Sequence, residues 1–268
     1  MQRQILIIDD HDDLATALTD GLSHLGHSVT VMTRREDALA IDDLSVFDIV
    51  VADLDVEPTA GLPVREGNAV FVPAYPTTFA GGHVRAFKLC GANYRDHLGD
   101  EQELKELVAT ILDHKARFVD TVETVQNVRE SIEFELPSVV GLMHIVLDYL
   151  MKRVDKLGVV NVEQSNLYVA LDEAFVNAVK HGNKFDVAKR VRIAADVSPL
   201  EARFTIEDDG EGFDVKNIPD PLDPENLFKT SGRGVLFIYN IMDEVQYNDR
   251  GNQLTMVKKS ENGNGKDT

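Results

Sequence analysis

Glu173, Asn177 and Lys180 carry the most specific chemistry in this chain of 268 residues. Within residues 171–183, LDEAFVNAVKHGN, they stand at i, i+4 and i+7. A helix therefore puts a carboxylate, an amide and an ammonium on one stripe. Leu167, Ala170, Leu171, Ala174, Phe175 and Ala178 recur at three- and four-residue spacing and form a second, apolar stripe that must face a core. Gly182 is expected to end the helix, as a residue tolerant of left-handed φ. A carboxamide one turn from a carboxylate, followed by a cation, suits a metal–triphosphate group.

Two glycine-bearing segments can supply the rest of such a site. Residues 208–213, DDGEGF, break an alternating strand, and Asp209 is read as the leading acid before Gly210 and Gly212. Glycines let backbone approach a flat ring, and a buried carboxylate accepts a hydrogen bond from an exocyclic amine such as that of adenine. Ser231, Gly232, Arg233 and Gly234 precede an apolar stretch, 235–242, that reads as a helix. Free N–H groups and a helix N-terminus are thereby offered to phosphate. Short glycine patterns are common in turns, so the weight lies in the three segments together and in this order.

E-A-x-x-N-A on a helix, then D-x-G-x-G, placed on residues 209–212, then S-G-x-G resembles the GHKL, or Bergerat-fold, ATPases. Within them the chain looks most like the anti-sigma-factor serine kinases, over nearly all of residues 128–259. The resemblance implies an α+β two-layer domain that uses ATP and Mg²⁺. It assigns Asn177 to Mg²⁺ and Asp209 to adenine, and gives Gly210, Gly212, Gly232 and Gly234 to the base pocket and phosphate lid. Glu173 matches the family's general base, which takes the proton from a substrate serine. Lys180 and Arg233 are candidate phosphate contacts, each with a solvated-surface alternative. Asn183 either lines the nucleotide or continues the turn, Asp208 and Glu211 are read as facing solvent, and His181 as a cation at the helix C-terminus. By the same resemblance the substrate is a serine on a STAS-fold antagonist, and a sigma factor is the alternative partner.

The elements that must position these residues follow from periodicity. Residues 131–136 alternate as an edge-type strand, 139–157 are an amphipathic helix, 190–195 and 202–207 are two strands, and 253–258 a last one. The tail, 260–268, is polar and expected to be disordered. Near the N-terminus an unalternating apolar run, 5–8, ends in Asp9 and Asp10; a helix over 13–25 and a strand over 29–31 follow. Strands are expected at 47–52, ending at Asp53, and at 69–72, with a helix over 83–90. This order predicts a doubly wound parallel sheet with Asp9, Asp10 and Asp53 at its carboxyl end.

Three carboxylates at one end of a sheet repel one another unless a divalent cation joins them. The arrangement resembles a response-regulator receiver domain. That resemblance makes Asp53 the phospho-acceptor, Asp9 and Asp10 its Mg²⁺-binding pair, and an upstream phosphodonor kinase a partner. Two positions depart from the receiver pattern: Pro73 or Ala74 stands for the usual Ser or Thr, and His97 lies where a Lys is usual. Phosphorylation of Asp53 and a retired, structural role both stand at this point.

The chain thus reads as a receiver-like domain over 1–118, a connector over 119–128, a kinase domain over 129–259 and a tail. The connector is read as partly helical, with a short linker as the rival. A formal charge of −19 argues against a nucleic-acid partner. The single cysteine, Cys90, and the lack of an apolar run long enough to span a bilayer lead to an expected cytoplasmic location without membrane contact. A homodimer is expected. The expected function is an ATP-dependent protein serine kinase of the anti-sigma type under receiver control. The alternatives are a nucleotide-binding adaptor without phosphotransfer and an atypical two-component histidine kinase. His114 and His144 are the candidate acceptors for the latter, and neither has the expected flanking residues.

Overall fold

Ile5, Leu6, Ile7 and Ile8 are fully buried in β1 (Gln4–Asp9), as an unalternating apolar run requires. The computed structural model describes residues 2–41, 46–56, 84–91, 101–121, 129–162, 165–215 and 233–260. The chain divides into two compact units, Met1–Leu136 and Pro137–Thr268. No helix among the described residues is long and apolar enough to cross a membrane.

In the first unit β1 lies between β2 (Ser28–Met32) and β3 (Ile49–Val56), parallel to both. Helix α1 (Asp13–His24) buries Leu14, Leu18 and Leu22, the positions in helical phase, and a short α2 (Arg35–Leu39) follows β2. Residues 83–90, expected as a helix, are instead β4 (Val84–Cys90), which runs antiparallel to β3. Val84, Ala86, Phe87, Leu89 and Cys90 are each at most 2% exposed, which a one-sided helix could not achieve and a strand covered on both faces can. β5 (Arg129–Pro137) then runs parallel to β4 and is buried at most positions rather than alternating. The sheet is therefore mixed, not the all-parallel doubly wound one expected. β3 also continues through Asp53 to Val56, so Asp53 sits inside a strand, in register with Asp9 on β1 and Phe87 on β4. Helix α3 (Glu101–His114) buries Leu104, Leu107, Val108, Ile111 and Leu112 and passes into a π turn, Lys115–Val119. The expected strand 69–72, Pro73, Ala74, His97, connector residues 122–128 and tail residues 261–268 lie outside the described residues.

The second unit has helices on a sheet, the two-layer arrangement that hides one stripe of each helix. β6 (Arg190–Val197), β7 (Glu201–Asp208), β8 (Glu244–Tyr247) and β9 (Gln253–Lys259) form an antiparallel sheet ordered β6-β7-β9-β8. β6 and β7 alternate strictly, and β7 turns Ala202, Phe204, Ile206 and Asp208 inward. Helix α5 (Leu167–Asn177) packs against both α4 (Val140–Lys156) and α6 (Arg233–Ile241), burying Leu167, Ala170, Leu171, Ala174 and Phe175.

Helix α5 does not end as expected. It widens into a π turn, Ala178–Gly182, closed by the Asn183 N–H on the Ala178 carbonyl at 2.8 Å. The left-handed residues are Lys184 and Phe185, both at φ 58°, and not Gly182. Fully buried Asn183 holds this strained exit: its Nδ2 donates to the Arg190 carbonyl at 2.8 Å, and its Oδ1 accepts the Asp209 N–H at 2.9 Å. Asn183→Ala leaves a buried donor and acceptor unpaired, and we expect urea denaturation to show a loss of about 2–4 kcal/mol.

Candidate active site

A cavity of about 710 Å³ opens in the second unit between α5, the end of β7, the start of α6 and the β8–β9 turn. Glu173, Asn177 and Lys180 all line it, so the polar stripe of α5 faces one space although Lys180 lies in the π turn. His181, expected only as a helix-end cation, and exposed Glu211 line it too.

The acid in this wall is Asp208, not Asp209. Successive strand residues point to opposite faces, and Asp208 continues the inward set of β7. Counted strictly, the D-x-G-x-G spacing also falls on Asp208, Gly210 and Gly212. Asp208 is 9% exposed and lines the cavity, and its Oδ1 accepts the Gly210 N–H at 2.8 Å. Burial raises its carboxyl above the usual range, against the Gly210 hydrogen bond. Asp209 turns away: Arg192 Nη1 reaches its Oδ1 at 2.8 Å and the Arg190 N–H its Oδ2 at 2.9 Å. Burial pushes the Asp209 carboxyl up, but these hydrogen bonds and the two arginine charges hold it below the usual range.

Glycines make the room around Asp208. A Cβ on Gly182 would collide with the Asp208 carboxylate, and one on Gly210 with the Gly182 carbonyl. Gly212, at φ 77°, lies against the Arg250 carbonyl. Gly234, in the first turn of α6, has no space for a Cβ because the Glu173 carboxylate is there, so the helix start closes on the candidate base. Arg233 opens that helix, while Ser231 and Gly232 lie outside the described residues.

Sequence reasoning places a turn at Gly251 but misses that the turn's side chains brace this wall. Asn252 Nδ2 donates to the Asp208 carbonyl at 2.8 Å, and Arg250 Nη2 to the Gly210 carbonyl at 2.8 Å. Asn248 Oδ1 accepts the N–H groups of Gly251 and Asn252 at 2.8 and 3.1 Å. Phe213 and Tyr247, edge to face at 5.2 Å, add a flat apolar border to the cavity. The Asn-x-x-Gly-Asn spacing of 248–252 was the available signal. The two candidate acceptor histidines lie elsewhere: His144 pairs with Asp172 at 3.0 Å, and His114 bonds the Thr110 carbonyl at 2.9 Å.

In the first unit Asp9, Asp10 and Asp53 come to one end of the sheet but do not face one point. Asp53 is taken by cations: Arg85 Nε and Nη2 reach its two oxygens at 2.9 Å each, and Lys115 Nζ reaches Oδ2 at 3.1 Å. Asp9 accepts the N–H groups of His11 and Ala15 at 3.0 and 2.8 Å. Asp10 accepts the Asp55 N–H at 3.0 Å and pairs with His11 at 2.6 Å. Among the described residues, the side chains whose ligand atoms lie within 4.8 Å of one another are Asp9, Asp10 and His11, without Asp53. Among the described residues, Lys115 is the ammonium beside Asp53.

Comparison with known proteins agrees with the geometry of the second unit. Residues 136–258 match the family model described as the Histidine kinase-like ATPase domain. The serine-protein kinase RsbW of Staphylococcus epidermidis is 28% identical over 144 residues, covering 50% of this chain and 89% of that protein. RsbW of Oceanobacillus iheyensis is 26% identical over 129 residues, covering 46% and 80%. The anti-sigma F factor of Clostridium perfringens is 31% identical over 104 residues, covering 36% and 73%. With its cavity walled by Glu173, Asn177 and Asp208, the chain belongs through its second unit to the histidine kinase-like ATPase family, alongside the anti-sigma-factor serine kinases.

Proposed function

We propose that this protein is an ATP- and Mg²⁺-dependent protein serine kinase of the anti-sigma type. Its substrate is a serine on a STAS-fold antagonist, a sigma factor is its alternative partner, and the first unit governs it. The observation that carries this reading is the lining of one cavity by Glu173, Asn177 and the glycine-cradled Asp208. The donor set fits a magnesium nucleotide: an amide oxygen for the metal, a buried carboxylate for an exocyclic amine, and Lys180 for phosphate.

Bound MgATP supplies an activated γ-phosphoryl group. Asp208, packed closely against Gly182 and Gly210, recognises the base, with Phe213 and Tyr247 at the border of the cavity. Asn177 would hold the metal through its amide oxygen. Glu173 would accept the proton of the substrate serine at its carboxylate as the serine oxygen attacks the γ-phosphorus and the bridging P–O bond breaks to release ADP. Gly234 lets the N-terminal turn of α6 come up to Glu173, where free N–H groups favour negative charge. Similarity to RsbW and anti-sigma F factor supports the partner assignment, and the presence of a base at position 173 favours transfer over binding alone.

Labelled ATP, Mg²⁺ and a candidate STAS-fold antagonist test the reading. Label on an antagonist serine is expected, with Glu173→Ala reducing the rate by roughly 10²–10⁴-fold and leaving nucleotide affinity nearly intact. Asn177→Ala should lose Mg²⁺-dependent nucleotide binding. ATP binding by the wild type without transfer to any partner would leave an adaptor, and label on a histidine would bring back the histidine-kinase alternative.

Asp208 and Asp209 are separated by a paired experiment. The folded carboxyl of Asp208 lies above its usual 3.8, so its ionisation costs the fold stability that returns as pH falls towards that value. Asp208→Asn should be no less stable than wild type at pH 7 (calorimetry) while binding ATP roughly 10–100-fold more weakly (titration). Asp209 is held below 3.8, so it contributes stability above that pH that is lost as pH falls through its folded value. Asp209→Asn should therefore lower the melting temperature at pH 7 and leave affinity within a few-fold. The reverse pattern would return the base-binding role to Asp209.

A further inference from the structure

The acidic end of the first sheet raises an electrostatic problem that a metal would ordinarily solve. Asp9 and Asp53 are register partners on adjacent strands, and two neighbouring carboxylates do not both ionise without a compensating cation. The chain brings its own. Arg85 stands on β4 opposite Asp55, one diagonal step from Asp53, and its guanidinium grips both Asp53 oxygens. Its Nη2 also lies 3.1 Å from Asp13 Oδ2, the first residue of α1. Lys115 is the first residue of the π turn, and its Nζ bridges Asp53 Oδ2 at 3.1 Å and Asp120 Oδ1 at 2.8 Å. The same ammonium lies 5.0 Å from the centroid of the Phe87 ring.

We infer that Arg85 and Lys115 stand in place of a divalent cation, making Asp53 a structural anion of an ion-pair lock rather than a phosphoryl acceptor. The side chain of Asp53 is 0% exposed, and those of Lys115 and Asp120 are 4% and 3%. Phosphorylation would need an Asp53 oxygen to attack phosphorus while a leaving group departs in line, and both oxygens already face fixed cations. Asp9, the other carboxylate of the pair, is held by two backbone N–H groups. The lock ties together β3, β4, the start of α1 and the turn that ends α3. It sets the acidic end of the first sheet in one ion-paired state that needs neither Mg²⁺ nor phosphate.

The full chain, incubated with acetyl phosphate and Mg²⁺ beside an authentic receiver, should gain no phosphoryl mass. Its first melting transition should be the same in millimolar Mg²⁺ as in NaCl of equal ionic strength, without nucleotide. A phosphoryl group on Asp53, or stabilisation by Mg²⁺ that Asp53→Asn abolishes, would overturn the inference. The variants give opposite signs for the two cases. In a metal-binding acidic cluster Asp53→Asn relieves repulsion and holds or raises the melting temperature, which would also overturn it. In the lock the substitution strands two buried cations, and we expect a fall of roughly 10 °C or outright failure to fold, against a degree or two for Asp10→Asn.

Discussion

Much of the second unit is arranged around one unfavourable burial, the Asp208 carboxylate at the inward end of β7. Strand alternation puts it on the core side, where an ionised group must be hydrogen-bonded. Among the described residues the donor given to it is the Gly210 N–H. The surroundings keep the carboxylate there instead of letting it swing out. Asn252 holds its backbone, Gly182 and Gly210 close on its two sides, and Asn183 ties the next residue to β6. The π turn after α5 and the left-handed pair, Lys184 and Phe185, are the backbone cost of bringing Gly182 to that position. An acceptor fixed in a partly apolar cavity is what a planar ring with an exocyclic amine requires.

Asp53 in the first unit presents the same problem with the opposite solution. It is even more deeply buried, yet it is held below the usual carboxylate range, because burial is outweighed by the Lys115 charge and the hydrogen bonds and charge of Arg85. Lys115 is correspondingly held above the usual lysine range by Asp53 and Asp120, despite its burial. Both partners thus stay charged and consume one another's hydrogen-bonding capacity. The antiparallel β4 makes this possible: it sets Arg85 diagonally opposite Asp53, a placement the all-parallel sheet did not provide.

How far the sequence revealed this differs between the units for physical reasons. The helix carrying Glu173 and Asn177 was legible because its two stripes have different chemistries at one period, and β6 and β7 because one face is buried and the other is not. Strict alternation along β7 would also have chosen Asp208 over Asp209, since it shares the parity of Phe204 and Ile206. The D-x-G-x-G spacing, counted from Asp208, carries the same signal. The strand at 84–90 was not legible in the same way. VRAFKLC is buried on both faces, so it has no period, and its identity as a strand is set by β3 and β5. Nor could spacing pair Lys115 with Asp53, since sixty-odd residues and a π turn intervene between two positions that meet only in the fold.

A polar group's availability, more than its type, separates the two sites. Asp53, Arg85, Lys115 and Asp120 are a richer set of charges than Glu173, Asn177 and Lys180, yet each is satisfied by another member of the chain. Glu173 and Asn177 instead face an open cavity, beside a carboxylate whose ionisation the fold disfavours. Chemistry needs groups that can exchange their partners during a reaction, whereas a lock needs groups that cannot. On that criterion the acidic end of the first sheet is fitted to hold structure together, and the wall of α5, β7 and α6 leaves its polar groups open to a bound molecule.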